Sequence, residues 1–289
     1  MVAILIGLLL SLHSLPTSTP AWLPAPSKAT WLWDTSLLET SSGRAEIVQF
    51  AREQQLQRIY VQVNRNLAPA AYRQLIQAAS DSRIEVHALD GAPAWALPEE
   101  SRRITELVQW VKTYNRSAAE NERFQGIQVD IEPYLLPAWT TDDQSRLAKA
   151  WLQSVTLLHN EVKKDSSLTT SAVLPFWLDQ IKLPDREMSL FEAIMTKLDE
   201  AALMSYRDQA QDVIDLSAAE MNIAERLGKK VWIGLETNPS PDTPYITFFD
   251  KGQEAMMFQL AVMDGVLRLN PSYAGIVIHD YTGWRALRD

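Results

Sequence analysis

The 289-residue chain has no cysteine. That excludes disulfides, thiolate zinc sites, iron–sulfur clusters and cysteine nucleophiles. Positive charge is scarce too: 27 Lys and Arg stand against 36 Asp and Glu, a net charge of −9. The basic residues are scattered, so the overall field repels nucleic acid and removes it as a main partner. No H-x-H or H-E-x-x-H spacing offers a ready metal site, and no G-x-S-x-G elbow offers a serine nucleophile. Walker and dinucleotide loops are missing, so no nucleotide cofactor is expected. No internal period of the solenoid kind is present.

Long apolar runs are confined to the start. Residues 2–12 are apolar, and small residues follow near Ala21 and Ala25. The run is too short for a membrane span, which needs about 20 residues. It resembles the apolar region of a signal peptide, although no Lys or Arg precedes it. Residues 1–21 are therefore expected to direct export to the periplasm or the exterior, and residues 22–28 to form a linker rich in Pro and Ser.

What is present is alternation. Short apolar runs at 30–34, 58–64, 83–89, 124–131, 168–174, 200–206, 230–236 and 274–281 read as strands. Amphipathic stretches lie between them. In the stretch 99–114, Ile104, Leu107, Val108 and Val111 recur at helical spacing. Asp142 or Asp143 is placed to cap the helix that runs to Lys163. About eight β–α units without consecutive hairpins predict a parallel sheet closed into a (β/α)₈ barrel over residues 29–289, a single domain. The open doubly wound sheet is disfavoured, because Trp33-Asp34-Thr35-Ser36 stands where its Gly-rich loop would be.

Side chains alternate between strand faces. Ile127, Val129 and Ile131 suit the helix-facing side, so Gln128, Asp130 and Glu132 should enter the lumen. The same split directs Gln62 and Asn64, His87, Glu236, His279 and Tyr281 inward, with Tyr206 and Asp208 sharing one face of the sixth strand. Polar lumen residues late in the strands match the carboxyl-terminal mouth, where barrel enzymes keep their sites. Asp34 and Asp90, at the ends of their strands, join this candidate set. Two carboxylates separated by one residue disfavour double ionisation, so one should keep a proton near neutrality. A protonated Glu132 beside an ionised Asp130 follows the logic of glycoside hydrolysis.

Residues 125–132, Gln-Gly-Ile-Gln-Val-Asp-Ile-Glu, resemble the D-G-x-D-x-D-x-E signature of family 18 glycoside hydrolases, the chitinase family. Met204-Ser205-Tyr206 resembles that family's M-x-Y motif, and Trp284 its sugar-floor tryptophan. The resemblance implies that Glu132 is the general acid. It implies that Asp130 holds the substrate N-acetyl group as that group attacks the anomeric carbon, and that Tyr206 hydrogen-bonds the acetamide. Three positions depart from the pattern. Gln125 and Gln128 replace acids, and Arg207 follows Tyr206 where an Asp usually stands, with Asp208 one step later.

The partner so implied is an oligo- or polysaccharide, and aromatic rings suit it. Trp95, Trp139, Trp177, Tyr245, Phe248, Phe249 and Trp284 lie in or near loops that follow strands. Two other readings compete. A metal-dependent hydrolase would draw on His87, Asp90, Glu236, His279 and Asp280. A chitinase-like barrel that binds sugar without cleaving it would explain the two Gln substitutions. Glu236 is the candidate nucleophile if a protein carboxylate attacks instead of the acetamide.

Overall fold

The computed structural model describes residues 25–140, 143–183 and 187–288. The proposed export segment lies outside them, except for the end of its linker. Eight strands run in parallel, each hydrogen-bonded to its sequence neighbour, and β8 closes on β1. They are β1 (Lys28–Leu32), β2 (Leu56–Gln62), β3 (Glu85–Asp90), β4 (Gly126–Val129), β5 (Thr169–Pro175), β6 (Glu200–Met204), β7 (Lys230–Glu236) and β8 (Tyr273–His279). The helices are α1 (Ser41–Glu53), α2 (Pro69–Ser80), α3 (Arg102–Ser117), α4 (Gln144–Lys163), α5 (Leu190–Met195), α6 (Ala210–Leu227), α7 (Gly252–Leu267) and α8 (Tyr281–Ala286). This is the closed single-domain (β/α)₈ barrel that the alternation predicts. The first strand starts at Lys28, which pairs with Leu56 and Ile276, so the linker ends one residue earlier than expected.

Helix boundaries follow local chemistry. The Thr40 hydroxyl accepts from Gly43 N to start α1, and Ser189 does the same for Glu192 N at α5. α6 stops at Gly228, whose φ of 65° is left-handed. At α4, Asp143 occupies the cap position but makes no capping bond; its carboxylate accepts from Arg146 Nε at 3.2 Å instead. Asp142, the other expected cap, lies outside the described residues.

Two apolar layers result from the strand alternation. The outer layer joins strands to helices and includes Ile59, Val61, Val86, Ile127, Val129 and Ile131, with the α3 stripe Ile104, Leu107, Val108 and Val111 against it. Each such side chain contributes roughly 1.5–3 kcal/mol by leaving water. The inner layer fills the barrel axis with Ala29, Trp31, Tyr60, Leu89, Val173, Ala202, Trp232 and Val277. Both layers agree with the predicted parity.

Below this aromatic plug, at the amino-terminal end, sits an ion cluster that the sequence reading did not anticipate. Glu200 is nearly buried and accepts from Arg58, from Tyr60 Oη at 3.3 Å and from Trp232 Nε1 at 3.3 Å. The Arg58 guanidinium also reaches Glu85 at 2.8 Å and lies 5.0 Å from the Trp232 ring centre. His87 belongs here as well. It is 1% exposed, and it occupies space left by Gly126, whose added Cβ would stand 2.3 Å from His87 Nδ1. Its Nε2 lies 3.3 Å from Glu85 Oε2, without hydrogen-bond geometry, and burial outweighs that charge and holds the imidazole pKa below its ordinary value. His87 is therefore a neutral lumen residue at the far end from the mouth, not a substrate group.

Removing Arg58 leaves a carboxylate in a nearly buried place without its cation. Arg58→Ala is expected to lower the unfolding free energy by about 3–5 kcal/mol in chemical denaturation. A loss under about 1 kcal/mol would mean that Tyr60 and Trp232 alone satisfy Glu200.

Candidate functional site

The mouth is built from residues just past the strand ends. Asp130 and Glu132 follow β4. Asp130 N donates to Asp90 O at 3.1 Å, which continues the β3–β4 pairing by one residue. The two backbones touch at Gly91: a Cβ there would lie 2.1 Å from Asp130 O. Only glycine allows this approach, so it sets where Asp130 stands. Asp130 Oδ1 is buried and has no hydrogen-bond partner among the described residues. Burial first, and then the charge of Glu132, push the Asp130 carboxyl up to about 7, while His279 pulls it down.

The sequence argument expected one carboxyl of this pair to keep a proton, and it named Glu132. The deeper member, Asp130, is the one that burial favours in the neutral form. Glu132 occupies the position before a short 3-10 helix, Pro133–Leu135, without a capping bond, and its Oε2 accepts a hydrogen bond from the Tyr134 hydroxyl. Burial, together with the Glu132 charge, holds the Tyr134 phenol far above its usual range. Tyr134 was missed from sequence. It lies past the strand in a 3-10 turn, where neither a two-residue nor a 3.6-residue period applies.

From β6 and its exit come Met204 and Tyr206. Tyr206 is enclosed, and burial with the charges of Glu236, Asp130 and Glu132 raises its pKa well above the usual value. Its ring lies 6.1 Å from that of His279, which in turn packs edge-on against Trp31 at 5.7 Å. Glu236 ends β7. Its Oε1 accepts from Thr237 N at 2.8 Å and Asn238 N at 2.7 Å, and its Oε2 meets His279 Nδ1 at 2.9 Å. Burial disfavours the His279 imidazolium, but the bond and charge of Glu236, with Asp280 and Asp130, outweigh it and raise the pKa. Glu236 and His279 thus form an ion pair beside Asp130 and Tyr206.

Gln128 lies beneath Asp130, fully buried. Its Oε1 accepts from Trp31 Nε1 at 2.6 Å, and its Nε2 donates to Ser171 Oγ at 3.0 Å. Gln62 ends β2 on the lumen parity, and Trp33 packs on the inner layer from β1's exit. Trp177 caps a short 3-10 helix after β5; its ring lies 5.1 Å from Tyr134 and 6.4 Å from Trp139. The three rings form an aromatic wall beside Glu132.

Other expected residues lie elsewhere. Asp90 shares the parity of Val86 and Ala88, faces the helices, and has Tyr72, Arg65 and Arg103 as its charged or polar neighbours. Asp34 is exposed and caps the 3-10 helix Thr35–Glu39 through Ser36 N at 3.0 Å. Asn64 Nδ2 donates to Thr35 Oγ1 at 3.2 Å, and its Oδ1 accepts from Asn66 N at 3.0 Å, so it orders the loop after β2. Asp208 is ion-paired with Lys251 at 3.2 Å. Tyr281 and Trp284 fall in α8, because Asp280 caps that helix through Gly283 N and ends the strand alternation at His279. Both pack on Phe50 of α1 at 5.2 Å, in the outer core rather than on a sugar floor. Trp95 and Phe248 are buried there too, whereas Tyr245 and Phe249 are half exposed. Gln125 precedes β4 at the opposite end and accepts from Val86 N.

The metal ligands offered by the sequence do not converge, since His87 is below the plug and Asp90 faces the helices. Among the described residues no group of three or more His, Asp or Glu is arranged to hold an ion. No helix among them is long and apolar enough to cross a membrane. A cavity of about 650 Å³ opens at the amino-terminal end between Lys112, Arg116, Phe124 and Asp165. It holds no cluster of buried carboxyls like the one at the mouth.

The fold and the mouth define a closed barrel with a cluster of carboxyls, a tyrosine and a histidine at the strand ends. No family model and no curated protein sequence matches the chain. Solved structures do match. A chitinase from Bacteroides thetaiotaomicron aligns with TM-score 0.59 and 12% identity, over 90% of this chain and 91% of that one. A chitinase from Chromobacterium violaceum gives 0.55 and 12%, over 91% and 98%. A family 18 chitinase mutant from Cycas revoluta, in complex with (GlcNAc)4, gives 0.55 and 10%, over 89% and 95%. The chain shares the chitinase barrel across almost its whole described length.

The raised Asp130 pKa has a stability consequence. Below about pH 4 the carboxyl is neutral in both the folded and the unfolded chain and carries no penalty. As pH rises the unfolded chain ionises first, and the folded state is penalised until Asp130 ionises at about 7. Asp130→Asn should therefore stabilise the protein at pH 8 relative to its effect at pH 4, by on the order of a few kcal/mol. Denaturant titrations at the two pH values measure this, and a difference that does not depend on pH would show that Asp130 is not held neutral.

Proposed function

We propose that this chain is an exported glycoside hydrolase of the chitinase-like kind, acting on a polysaccharide or oligosaccharide with N-acetylated units. The observation that carries the reading is the meeting of Asp130, Glu132, Tyr206 and the Glu236–His279 pair at the strand ends. Asp130, Glu132 and Tyr206 are positions at which the sequence resembles family 18. The shared barrel supports it, and (GlcNAc)4 occupies one of the similar chitinases. Export rests on the apolar run at residues 2–12 alone.

In this reading the carboxyl pair enters the reaction with one proton between Asp130 and Glu132. Glu132, the shallower member, delivers it to the glycosidic oxygen as the bond to the leaving sugar breaks. The substrate's acetamide oxygen attacks the anomeric carbon, and Asp130 with Tyr206 holds that acetamide in line. Water then opens the cyclic intermediate, with Glu132 taking its proton. Glu236 already accepts three backbone or side-chain N–H bonds besides His279. It suits a charge partner for the site better than a nucleophile.

A second reading has a specific observation in its favour. Gln128 stands where the signature has an acid, and both ends of its amide are engaged. Asp130 thus lacks the carboxylate with which it would exchange a proton from below, which suits a barrel that binds sugar without cleaving it.

Hydrolysis of a panel of N-acetylated and non-acetylated oligosaccharides separates the two. For the enzyme, acetylated substrates alone are cleaved, EDTA has no effect, and Glu132→Gln removes turnover while binding persists. The rate should fall as pH rises through about 7, because the pair then loses its proton. Sugar binding with no turnover of any substrate by the wild type selects the binding protein. Gly91→Ala gives a separate test of positioning. Its added carbon displaces the Asp130 peptide, and kcat should fall by about 100-fold with KM less affected. An unchanged kcat would detach Asp130 from the chemistry.

A further inference from the structure

The mouth differs from the family 18 pattern in charge. Gln128 removes one acid beneath Asp130, and Arg207 puts a cation where the M-x-Y motif continues with an Asp. The structure holds that cation firmly. The Arg207 guanidinium carbon lies 5.6 Å from the Phe176 ring centre and 5.2 Å from that of Tyr245. Phe176 follows β5 and Tyr245 lies in the loop after β7, so rings from both sides clamp the side chain over the end of β6. Nη1 donates to Tyr206 O at 2.7 Å. Stacking of this kind orients the planar fork.

No carboxylate among the described residues pairs with Arg207. Asp208, its neighbour, is taken by Lys251 at 3.2 Å. The remaining acids of the mouth also have partners of their own. Glu236 is bound to His279 and to the amides of Thr237 and Asn238, and Glu132 to Tyr134. Burial favours the neutral form of Asp130. An incoming anion therefore meets the Asp130–Glu132 carboxyl pair, the Glu236–His279 and Asp208–Lys251 pairs, and one oriented cation without an acid of its own. In a chain of net charge −9, an arginine kept without an acid beside a sugar site calls for an anion from outside.

We propose that the mouth takes an acidic oligosaccharide, one whose sugar units carry a carboxylate, and that Arg207 is the residue that selects it. The inference rests on the glycosidase reading of the same site. The carboxylate can belong to the sugar ring, as in a uronic acid, or to a short ether substituent, as in the muramic acid of peptidoglycan. Both present the same planar pair of oxygens to the guanidinium.

The test uses the Glu132→Gln protein, which in the glycosidase reading holds substrate without turning it over. Calorimetry compares hyaluronan oligosaccharides and peptidoglycan glycan fragments, each beside its carboxyl-reduced counterpart. The carboxylated form of one of them should bind about tenfold tighter or more, the range of a charge-assisted hydrogen bond. Which of the two does so identifies the source of the carboxylate. The preference should shrink with added salt and vanish when Arg207→Met is added. Arg207→Lys, which keeps the charge but not the fork, should retain only part of it. Equal binding of both forms, or a preference that survives Arg207→Met, overturns the inference. If neutral N-acetylated oligosaccharides are still bound and cleaved in that case, the glycosidase reading stands without it. No binding of any sugar, with no turnover by the wild type, overturns both.

Discussion

A closed barrel of eight strands leaves an axis that its own side chains must fill, and here three large rings fill it. Trp31, Tyr60 and Trp232 occupy the middle of the lumen. Each carries one polar atom that must be satisfied there, because a buried unpaired donor is costly. Trp31 Nε1 is satisfied upward by Gln128, at 2.6 Å. Tyr60 Oη and Trp232 Nε1 are satisfied downward by Glu200. The plug thus divides the barrel into two polar ends with different tasks. The lower end compensates its charges internally around Arg58. The upper end carries an acid, Asp130, with a buried oxygen that no group among the described residues bonds.

That division explains why the Asp130 proton is governed by burial more than by neighbours. The aromatic plug and Gln128 close it from below, and the β3–β4 contact at Gly91 closes it from the side. Glu132 adds a like charge. A second carboxylate at position 128 would have added another. The amide there keeps Trp31 anchored and adds no charge. The site consequently has few uncompensated charges: Glu236 is matched by His279 and Asp208 by Lys251. What remains is a pair of carboxyls around Asp130 and a guanidinium held between Phe176 and Tyr245.

Strand parity made much of this legible in the sequence. Ile127, Val129 and Ile131 against Gln128, Asp130 and Glu132 separate the two faces without knowledge of any contact, and the two layers follow them. The reading failed where alternation stops. Tyr281 continues the period of β8 by number, but Asp280 caps a helix at that point and turns the chain toward Phe50. Asp90 is polar at a strand end, yet its parity is that of Val86 and Ala88. His87 has the right face and the wrong depth, and depth depends on strand stagger, which composition does not reveal. Tyr134 was invisible for the opposite reason, since a 3-10 turn has no period to read.

The family resemblance and the departures from it carry different information. The matched residues, Asp130, Glu132 and Tyr206, are the ones whose position the barrel dictates: two past β4 and one past β6, all directed at one point. The mismatched residues, Gln128 and Arg207, are those that set charge around that point. Position at a strand end is conferred by the backbone and tolerates little change, whereas the charge of a neighbour can be exchanged without disturbing the fold. The chain shares its barrel with chitinases but departs from the family 18 pattern in local charge, and the proposed reading therefore assigns the reacting bond and the substrate's remaining substituents to separate parts. In the reading proposed above, Asp130 and Glu132 address the bond, and the clamp around Arg207 addresses what the sugar carries besides it.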